Sequence, residues 1–157
     1  ELISGRYGRG IGDGMHAFPS PGELAAADIR DLEGCGAGFR AGYILEAARA
    51  VNSGKVDLDG LRGLELDVAR SKLMEFKGVG RKVADCVLLF AFQRYEAFPV
   101  DTWMLRVMRH AYFNGEEASL GEIQAFASKT FGALAGYAQE YLYHYARNCL
   151  WNSLPGA

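Results

Sequence analysis

Two residues in this chain have side chains and surroundings suited to covalent chemistry, and Lys82 is the first. It follows a Gly-x-Gly turn and opens the apolar stretch "GRKVADCVLLFAFQR", which predicts a helix. A helix N-terminus carries exposed N–H groups and a partial positive charge, which disfavour an ammonium ion. Arg81 and Lys77 act in the same direction, so more of the Lys82 amine would be neutral and able to attack carbon. The alternative is a surface lysine that adds charge near a bound phosphate.

Asp101 is the second such residue. In "FPVDTWMLRV" it follows Pro99 and precedes an apolar-periodic segment, so it is predicted to be the N-cap of a helix. A capping aspartate that also faces a cleft could stabilise a developing positive charge or accept a proton. Taken alone, Asp101 is explained by the cap.

A tight turn joins two of the predicted helices. Glycines at positions 78 and 80 separate "LDVARSKLMEF" from "GRKVADCVLLFAFQR", which predicts a helix–hairpin–helix over about residues 66–92. Glycine lets backbone N–H groups approach a phosphate closely, and the second helix adds a favourable dipole. Such a motif can bind the DNA backbone without a basic surface, which suits a net charge of −2. "GVG" alone also occurs in helical hairpins for geometric reasons only.

The remaining elements also read as helices joined by glycine turns. Capping boxes are predicted at Ser20 with Glu23 and at Ser119 with Glu122. "GCGAGFRAGYILEAARAVNSG" is a glycine-rich loop followed by a helix that Gly54 ends, and "LAGYAQEYLYHYARN" is aromatic along one side. Strand signals are almost absent. The sequence therefore predicts an all-α fold with a central helix–hairpin–helix.

Composition limits the class of protein. The chain has 157 residues, of which 50% are hydrophobic and 12% aromatic, so it is expected to form one helical domain over residues 1–157. The first residues, "ELISGRYGRG", resemble the tail of a helix, which predicts a fragment that lacks the preceding N-terminal part. The longest apolar run, 87–92, is too short to span a bilayer. Three widely spaced cysteines without CxxC argue against a zinc ribbon, an iron–sulfur cluster or a disulfide framework, and for an intracellular, reducing compartment.

In combination, "FKGVGRKVADC" and the later "FPVDTWM" resemble the helix–hairpin–helix (HhH-GPD) DNA glycosylase/AP lyase superfamily. The similarity is greater to its 8-oxoguanine DNA glycosylase branch. "HAFPSPGELA", "GCGAGFRAGYI" and "GALAGYAQEYLYHYAR" also resemble that branch, so the similarity extends from about residue 16 to residue 148. Endonuclease III shares "GVGRK" and "VDT", but its usual four-cysteine motif is missing here, and "VADC" and "GYAQ" favour the 8-oxoguanine branch.

The resemblance implies a bifunctional DNA glycosylase/AP lyase that excises 8-oxoguanine from duplex DNA in base excision repair. Lys82 would attack C1′ of the damaged nucleoside, expel the base and form a Schiff base, while Asp101 would stabilise the oxocarbenium-like transition state. Cys86, one helical turn after Lys82, would lie against the flipped base. Gln139 would read the Watson–Crick edge of the base, and Tyr143 would stack on it. Without the resemblance, these three are a core cysteine, an exposed glutamine and a packing aromatic.

The resemblance also implies contacts with DNA and a cation. Phe39 and Arg40 match a loop that fills the gap and contacts the opposite base. The other predicted DNA contacts are Lys77, Gly78, Gly80, Arg81 and Trp103, with Arg106 and Arg109 also on the backbone. Carbonyls of Met74, Phe76 and Val79 would hold a structural monovalent, Ca²⁺ or Mg²⁺ ion. No required cofactor and no iron–sulfur cluster are expected, and the expected partner is double-stranded DNA containing 8-oxoguanine, bound by a monomer away from any membrane.

Two other functions remain open from the residues. One is a non-catalytic helix–hairpin–helix DNA-binding module, which predicts salt-sensitive duplex binding without base release. The other is an endonuclease III-like glycosylase for a different oxidised base. Replacing Lys82 by glutamine distinguishes the DNA-binding module from both kinds of enzyme, because only an enzyme would lose catalytic activity when that amine is removed.

Overall fold

The computed structural model describes residues 2–150, apart from the side chain of Leu150, so the ends of the predicted domain, Glu1 and 151–157, lie outside the described residues. Helices form most of the described backbone, and the all-α prediction is confirmed. No helix in the described part of the chain is long and apolar enough to cross a membrane. The α-helices are α1 (Leu2–Tyr7), α2 (Pro21–Ala25), α3 (Ile29–Leu32), α4 (Ala41–Asn52), α5 (Leu66–Met74), α6 (Arg81–Phe92), α7 (Thr102–Tyr112), α8 (Leu120–Phe131) and α9 (Ala135–Tyr145). Short helical turns occupy Glu33–Ala37, Gly38–Arg40, Asp59–Gly63, Gly132–Leu134 and Ala146–Leu150.

A small β-hairpin was missed by the sequence analysis. Strands β1 (Gly10–Gly12) and β2 (Met15–His16) pair antiparallel. The turn between them is Asp13–Gly14, with φ of 49° and 71°. Two residues with positive φ make the turn that twists strands into a hairpin, and Asp-Gly is a preferred pair for it. The dipeptide was the available signal, but strands this short show no alternation of apolar residues.

The described chain divides into two compact units. The first comprises the described residues through Glu65 together with Ser71–Val79, and the second comprises Leu66–Arg70 and the described residues from Gly80 onward. The sequence predicts one domain over 1–157, and the hairpin segment contributes residues to both units.

The core of the first unit is built around α4. Ala41, Leu45 and Ala48 recur at the spacing of one helix face and are buried, and Leu24 of α2 belongs to the same cluster. Tyr43, also on α4, lies so close to Gly78 that a Cβ atom there would be 2.3 Å from its ring. Gly78 has a φ of +82°, so both its conformation and its surroundings favour glycine.

The core of the second unit is built by α7, α8 and α9. Met104, Val107 and Met108 follow the helical period on α7, and each is at most 1% exposed. Ile123 on α8 and Ala135 on α9 are fully buried in the same cluster. Burial of this kind stabilises a protein by about 1.5–3 kcal/mol for each large aliphatic side chain.

The predicted helix starts are confirmed. Ser20 and Ser119 each form a complete capping box, with Glu23 and Glu122 respectively. Asp101 accepts a hydrogen bond from the backbone N–H of Met104 at 2.7 Å. These short-range contacts satisfy N–H groups that the helices leave without partners.

Gly136 at the start of α9 makes a close contact with α6. A Cβ atom at this position would lie 2.3 Å from Cδ1 of Leu89 and 2.9 Å from the carbonyl oxygen of Ala97. Its backbone N–H donates to the carbonyl of Tyr95 at 2.7 Å. The absence of a side chain at Gly136 therefore lets α9 approach α6.

Candidate active site

Helix α6 presents the first two candidate residues of the site. Its N-cap is Gly80, which gives no side-chain cap, and its first turn has no acidic residue. Lys82 is exposed and Cys86 is half-buried. As their spacing of one turn predicts, both side chains line the same pocket.

The N-cap residue of helix α7, Asp101, supplies the carboxylate. The cap hydrogen bond to Met104 uses Oδ1 of Asp101, and the side chain also lines the pocket with Lys82. Because a carboxylate has two oxygens, the cap and a chemical role are compatible in one residue.

Helix α9 supplies an amide. Gln139 is only 7% exposed, so the alternative interpretation of an exposed helix residue is wrong. Within the described part of the chain, its buried Oε1 has no hydrogen-bond partner. A buried amide oxygen without a partner costs free energy unless a ligand or water donates to it. This oxygen is consequently suited to accept a hydrogen bond from a molecule in the pocket.

The pocket brings together all of the residues predicted to act on the base or its sugar. Its volume is about 190 Å³. Three further lining residues were not predicted, although Phe90 continues the one-turn spacing of Lys82 and Cys86. The full lining is Lys82, Cys86, Phe90, Pro99, Asp101, Gln139, Glu140 and Tyr143.

Burial is the main influence that keeps the Cys86 thiol neutral. Burial raises the pKa of the Cys86 thiol, and the interaction of the thiol with the adjacent Lys82 opposes that shift. Asp85 and Asp101 add to the increase in the thiol pKa. Cys86 is accordingly a thiol rather than a thiolate at neutral pH, and it offers a polarisable, uncharged surface.

Tyr143 both packs and lines the pocket. Its ring is partly buried against the core of the second unit. Its hydroxyl accepts a hydrogen bond from Nη1 of Arg147 at 3.3 Å. Packing and stacking are therefore compatible for Tyr143.

In the first unit, the candidate DNA contacts form a basic and aromatic series. Phe39 is 75% exposed, and the guanidinium of Arg40 lies 4.5 Å from the centre of its ring. Phe39 also meets Tyr43 edge-on, with ring centres 6.5 Å apart. Lys77 lies 5.9 Å from the Tyr43 ring and pairs with Glu46 at 3.4 Å. Gly78 forms the turn beside Tyr43, as described above.

The second unit holds the other candidates. Gly80 and Arg81 are exposed at the start of α6, whereas the Trp103 ring is partly buried against the core. Arg109 is engaged within the protein, since its guanidinium donates to the carbonyl of Ala118 at 2.8 Å and pairs with Glu117 at 2.6 Å. The expectation that Arg109 holds DNA is therefore withdrawn, while the roles of the others stay predictions.

The chain is similar in sequence to a family of known proteins over most of its length. The model of the HhH-GPD superfamily base excision DNA repair proteins matches residues 4–145. A probable N-glycosylase/DNA lyase of Methanothermobacter thermautotrophicus is 37% identical over 155 residues, covering 87% of this chain and 49% of that protein.

Two solved structures are also similar. The structure of MBOgg1 with a low-affinity DNA ligand has a TM-score of 0.89 and 40% identity, covering 94% of this chain and 52% of that one. The Clostridium acetobutylicum 8-oxoguanine glycosylase/lyase, bound to duplex DNA with cytosine opposite 8-oxoguanine, has a TM-score of 0.85 and 38% identity, covering 94% and 51%.

These similarities confirm the resemblance to the 8-oxoguanine branch. The chain spans about half the length of the relatives that it matches. The family match covers almost the whole described chain, including both units and every residue of the pocket. The chain belongs to the HhH-GPD superfamily of base excision DNA repair proteins.

Proposed function

We propose that this protein is a bifunctional DNA glycosylase/AP lyase that excises 8-oxoguanine from duplex DNA inside the cell. The observation that carries this proposal is the pocket in which an amine, a carboxylate and a buried, unpartnered amide meet, from Lys82, Asp101 and Gln139. Similarity to N-glycosylase/DNA lyases and to an 8-oxoguanine glycosylase/lyase supports it.

Lys82 carries out the first step. Its neutral amine forms a bond to C1′ of the damaged nucleoside as the glycosidic bond breaks, and the base leaves with the electron pair and takes up a proton. Positive charge develops on the sugar during this step, and the carboxylate of Asp101 stabilises it. Both side chains line the same small pocket, so one sugar can contact both.

The lyase step follows from the same covalent bond. Loss of a proton from the attached nitrogen and opening of the sugar ring give a Schiff base at C1′. This group withdraws electrons, so a proton leaves C2′ and the C3′–O bond breaks, which cuts the strand. Water then hydrolyses the Schiff base and returns the Lys82 amine.

The rest of the pocket holds the base outside the helix. Removing a base from the stack costs a few kcal/mol, which contacts in the pocket must offset. Cys86 and Tyr143 provide surfaces for the ring, and the amide of Gln139 offers an acceptor and a donor to its Watson–Crick edge. Phe39 and Arg40 are proposed to contact the base left opposite.

The hairpin carbonyls are proposed to hold a structural cation, with no further cofactor required. The carbonyl of Phe76 already accepts a hydrogen bond from the N–H of Val79 at 3.0 Å. A carbonyl oxygen has a second lone pair, so this turn fits a weakly bound hard ion together with the carbonyls of Met74 and Val79. In that role the ion would help the hairpin to bind a DNA phosphate.

Trapping with borohydride tests the proposal. The protein is incubated with a duplex carrying one 8-oxoguanine opposite cytosine, borohydride is added, and covalent protein–DNA adducts are measured. Lys82→Gln and an undamaged duplex are the controls. An adduct that requires both Lys82 and the lesion is expected, because borohydride reduces the Schiff base to a stable amine.

Other results would revise the proposal in defined ways. An adduct with an abasic site but not with the lesion would indicate a lyase with another base preference. Intact duplex binding without any adduct would indicate the non-catalytic DNA-binding module.

A further inference from the structure

A buried ion pair lies on the helix that carries Lys82, outside the pocket. Nε of Arg70, on α5, donates to Oδ1 of Asp85, on α6, at 2.6 Å. The two residues are 6% and 1% exposed. Both belong to the second unit, as do all of the residues that line the candidate active site.

Further hydrogen bonds fix the orientation of the pair. Nη1 of Arg70 also donates to Asp67, one turn earlier on α5. Nε2 of Gln124, on α8, lies 3.5 Å from the second carboxylate oxygen of Asp85. Arg81 adds a favourable charge from the first turn of α6. The Asp85 carboxylate is consequently contacted by side chains from two other helices, α5 and α8.

Stability alone does not explain these buried charges. Burial raises the pKa of the Asp85 carboxyl, and Arg70, the main opposing influence, only partly offsets it. Apolar residues of similar volume are often as stabilising as a buried ion pair, or more so. The ion pair instead fixes the orientation of α6, because its hydrogen bonds can form at only one rotation of α6 about the helix axis.

That rotation decides where the nucleophile points. Successive residues on a helix are turned by about 100°, so Asp85 lies about 60° around α6 from Lys82 and about 100° from Cys86, at a fixed angle to both. The start of α6 has no side-chain cap, and its first turn carries two cations. Anchoring Asp85 therefore constrains the pocket-facing side of the same two turns.

We propose that Arg70 and Asp85 are positioning residues, which fix the rotation of α6 about its axis and so direct Nζ of Lys82 toward C1′ of the substrate. This inference rests on the proposed function. Neither residue touches the substrate, since neither lines the pocket.

The test replaces both charges together, so that neither is left buried without a partner. In the Arg70→Met/Asp85→Leu double variant, we expect the thermal unfolding midpoint to be no lower than that of the wild type. The rate of borohydride trapping on a duplex with an abasic site should fall at least tenfold, while the duplex Kd changes less than twofold. A purely structural role would not slow trapping while leaving the thermal unfolding midpoint and the duplex Kd unchanged.

Glu117→Gln is the matched control, because it breaks the ion pair with Arg109 in the same unit, away from α6. It should trap at the wild-type rate. Trapping by the double variant at the wild-type rate would overturn the inference. If the double variant does not fold, Arg70→Lys is used instead, because lysine keeps the charge but not the geometry of Nε. We expect this variant to trap at least threefold more slowly than the wild type. An unchanged trapping rate would overturn the inference.

A readout without DNA separates this inference from the proposed function. If the wild type forms no adduct, that result counts against the proposed glycosylase/lyase function. The positioning role of Arg70 and Asp85 is then tested by the chemical reactivity of the Lys82 amine alone. Its rate of reductive methylation by formaldehyde and borohydride is measured by mass spectrometry against exposed Lys129. Because Asp101 and Gln139, which line the pocket beside Lys82, lie outside α6, a rotated α6 should change the surroundings of the amine and this ratio at least threefold in the double variant. An unchanged ratio would overturn the inference.

Discussion

Among single residues, Asp101 combines a structural contact and a proposed chemical one. Asparagine caps a helix about as well as aspartate, so Asp101→Asn should keep the hydrogen bond to Met104 and change stability by less than about 0.5 kcal/mol. It removes the negative charge, so single-turnover excision of 8-oxoguanine should slow by roughly 100-fold. Rapid-quench measurement of released base, together with the duplex Kd, tests this. Equal activity of variant and wild type would remove Asp101 from the mechanism.

Gln139 should act on the base and not on the sugar. In Gln139→Ala we expect excision of 8-oxoguanine to fall roughly 10- to 100-fold, the effect of about 1–3 kcal/mol of lost hydrogen bonding. Trapping on an abasic-site duplex should stay within about twofold, because that substrate has no base to read. An equal decrease on both substrates would show that the substitution disturbs the pocket instead.

The pocket was predictable from sequence only in part. Lys82 and Cys86 share a helix, so helical spacing alone places them together. Gln139 is different, because its neighbours Tyr137 and Tyr141 are exposed and only the packing of α9 shows that it is buried. The pairing of Asp85 with Arg70 could not be predicted from sequence either, because Arg70 lies on another helix and side-chain contacts between helices leave no local sequence pattern.

For the helices, the contact of α9 with α6 gives a sharp stability prediction. Gly136→Ala places a methyl group against Leu89, so it should lower the free energy of unfolding by about 1–3 kcal/mol. Gly121→Ala is the matched control, because nothing lies closer than 4.0 Å to a Cβ there and alanine is favoured within a helix. Urea unfolding measures both. Equal stability of the two variants would contradict the close approach of α9 and α6.

The capping box of α8 should make stability depend on pH. The hydroxyl and the backbone N–H of Ser119 donate to Glu122, at 2.7 and 2.8 Å, and lower the pKa of its carboxyl below the ordinary 4.5. The folded state then binds this proton less readily than the unfolded state, so the contribution is present above about pH 4.5 and is lost as the pH falls through the lowered pKa. Urea unfolding from pH 6 to pH 3 should show the gap between wild type and Glu122→Gln closing. A constant gap would contradict the linkage.

Helix starts were predictable because caps are local. Ser20, Asp101 and Ser119 each satisfy N–H groups within three residues, so the sequence contains the whole interaction. The hairpin at Asp13–Gly14 was missed because its strands are too short to show a period. The division of the chain into two compact units depends on contacts between distant segments, which leave no local pattern in the sequence.

For the molecule as a whole, the proposed DNA affinity would come from a few local cations. The net charge is −2, so there is no overall attraction to a polyanion. Lys77→Ala should reduce the slope of log K against log salt by about 0.9, the loss of one phosphate contact. Lys129→Ala, on α8, should leave the slope unchanged. Fluorescence anisotropy of a labelled duplex over a salt series measures this, and equal slopes for wild type and Lys77→Ala would exclude Lys77 from the interface.

In the proposed glycosylase, Gly136 also bears on how a damaged base would be selected. Because Gly136 has no side chain, the start of α9 lies directly against the backbone carbonyls of Tyr95 and Ala97, which follow α6, and against the side chain of Leu89. Cys86 on α6 and Tyr143 on α9 therefore bound a slot whose width resists adjustment. A rigid slot admits a flat aromatic ring by its thickness and rejects a puckered, saturated one, whatever hydrogen bonds that ring can form. Under the proposed function, ring planarity would thus be a selection criterion that acts before Gln139 contacts the edge of the base.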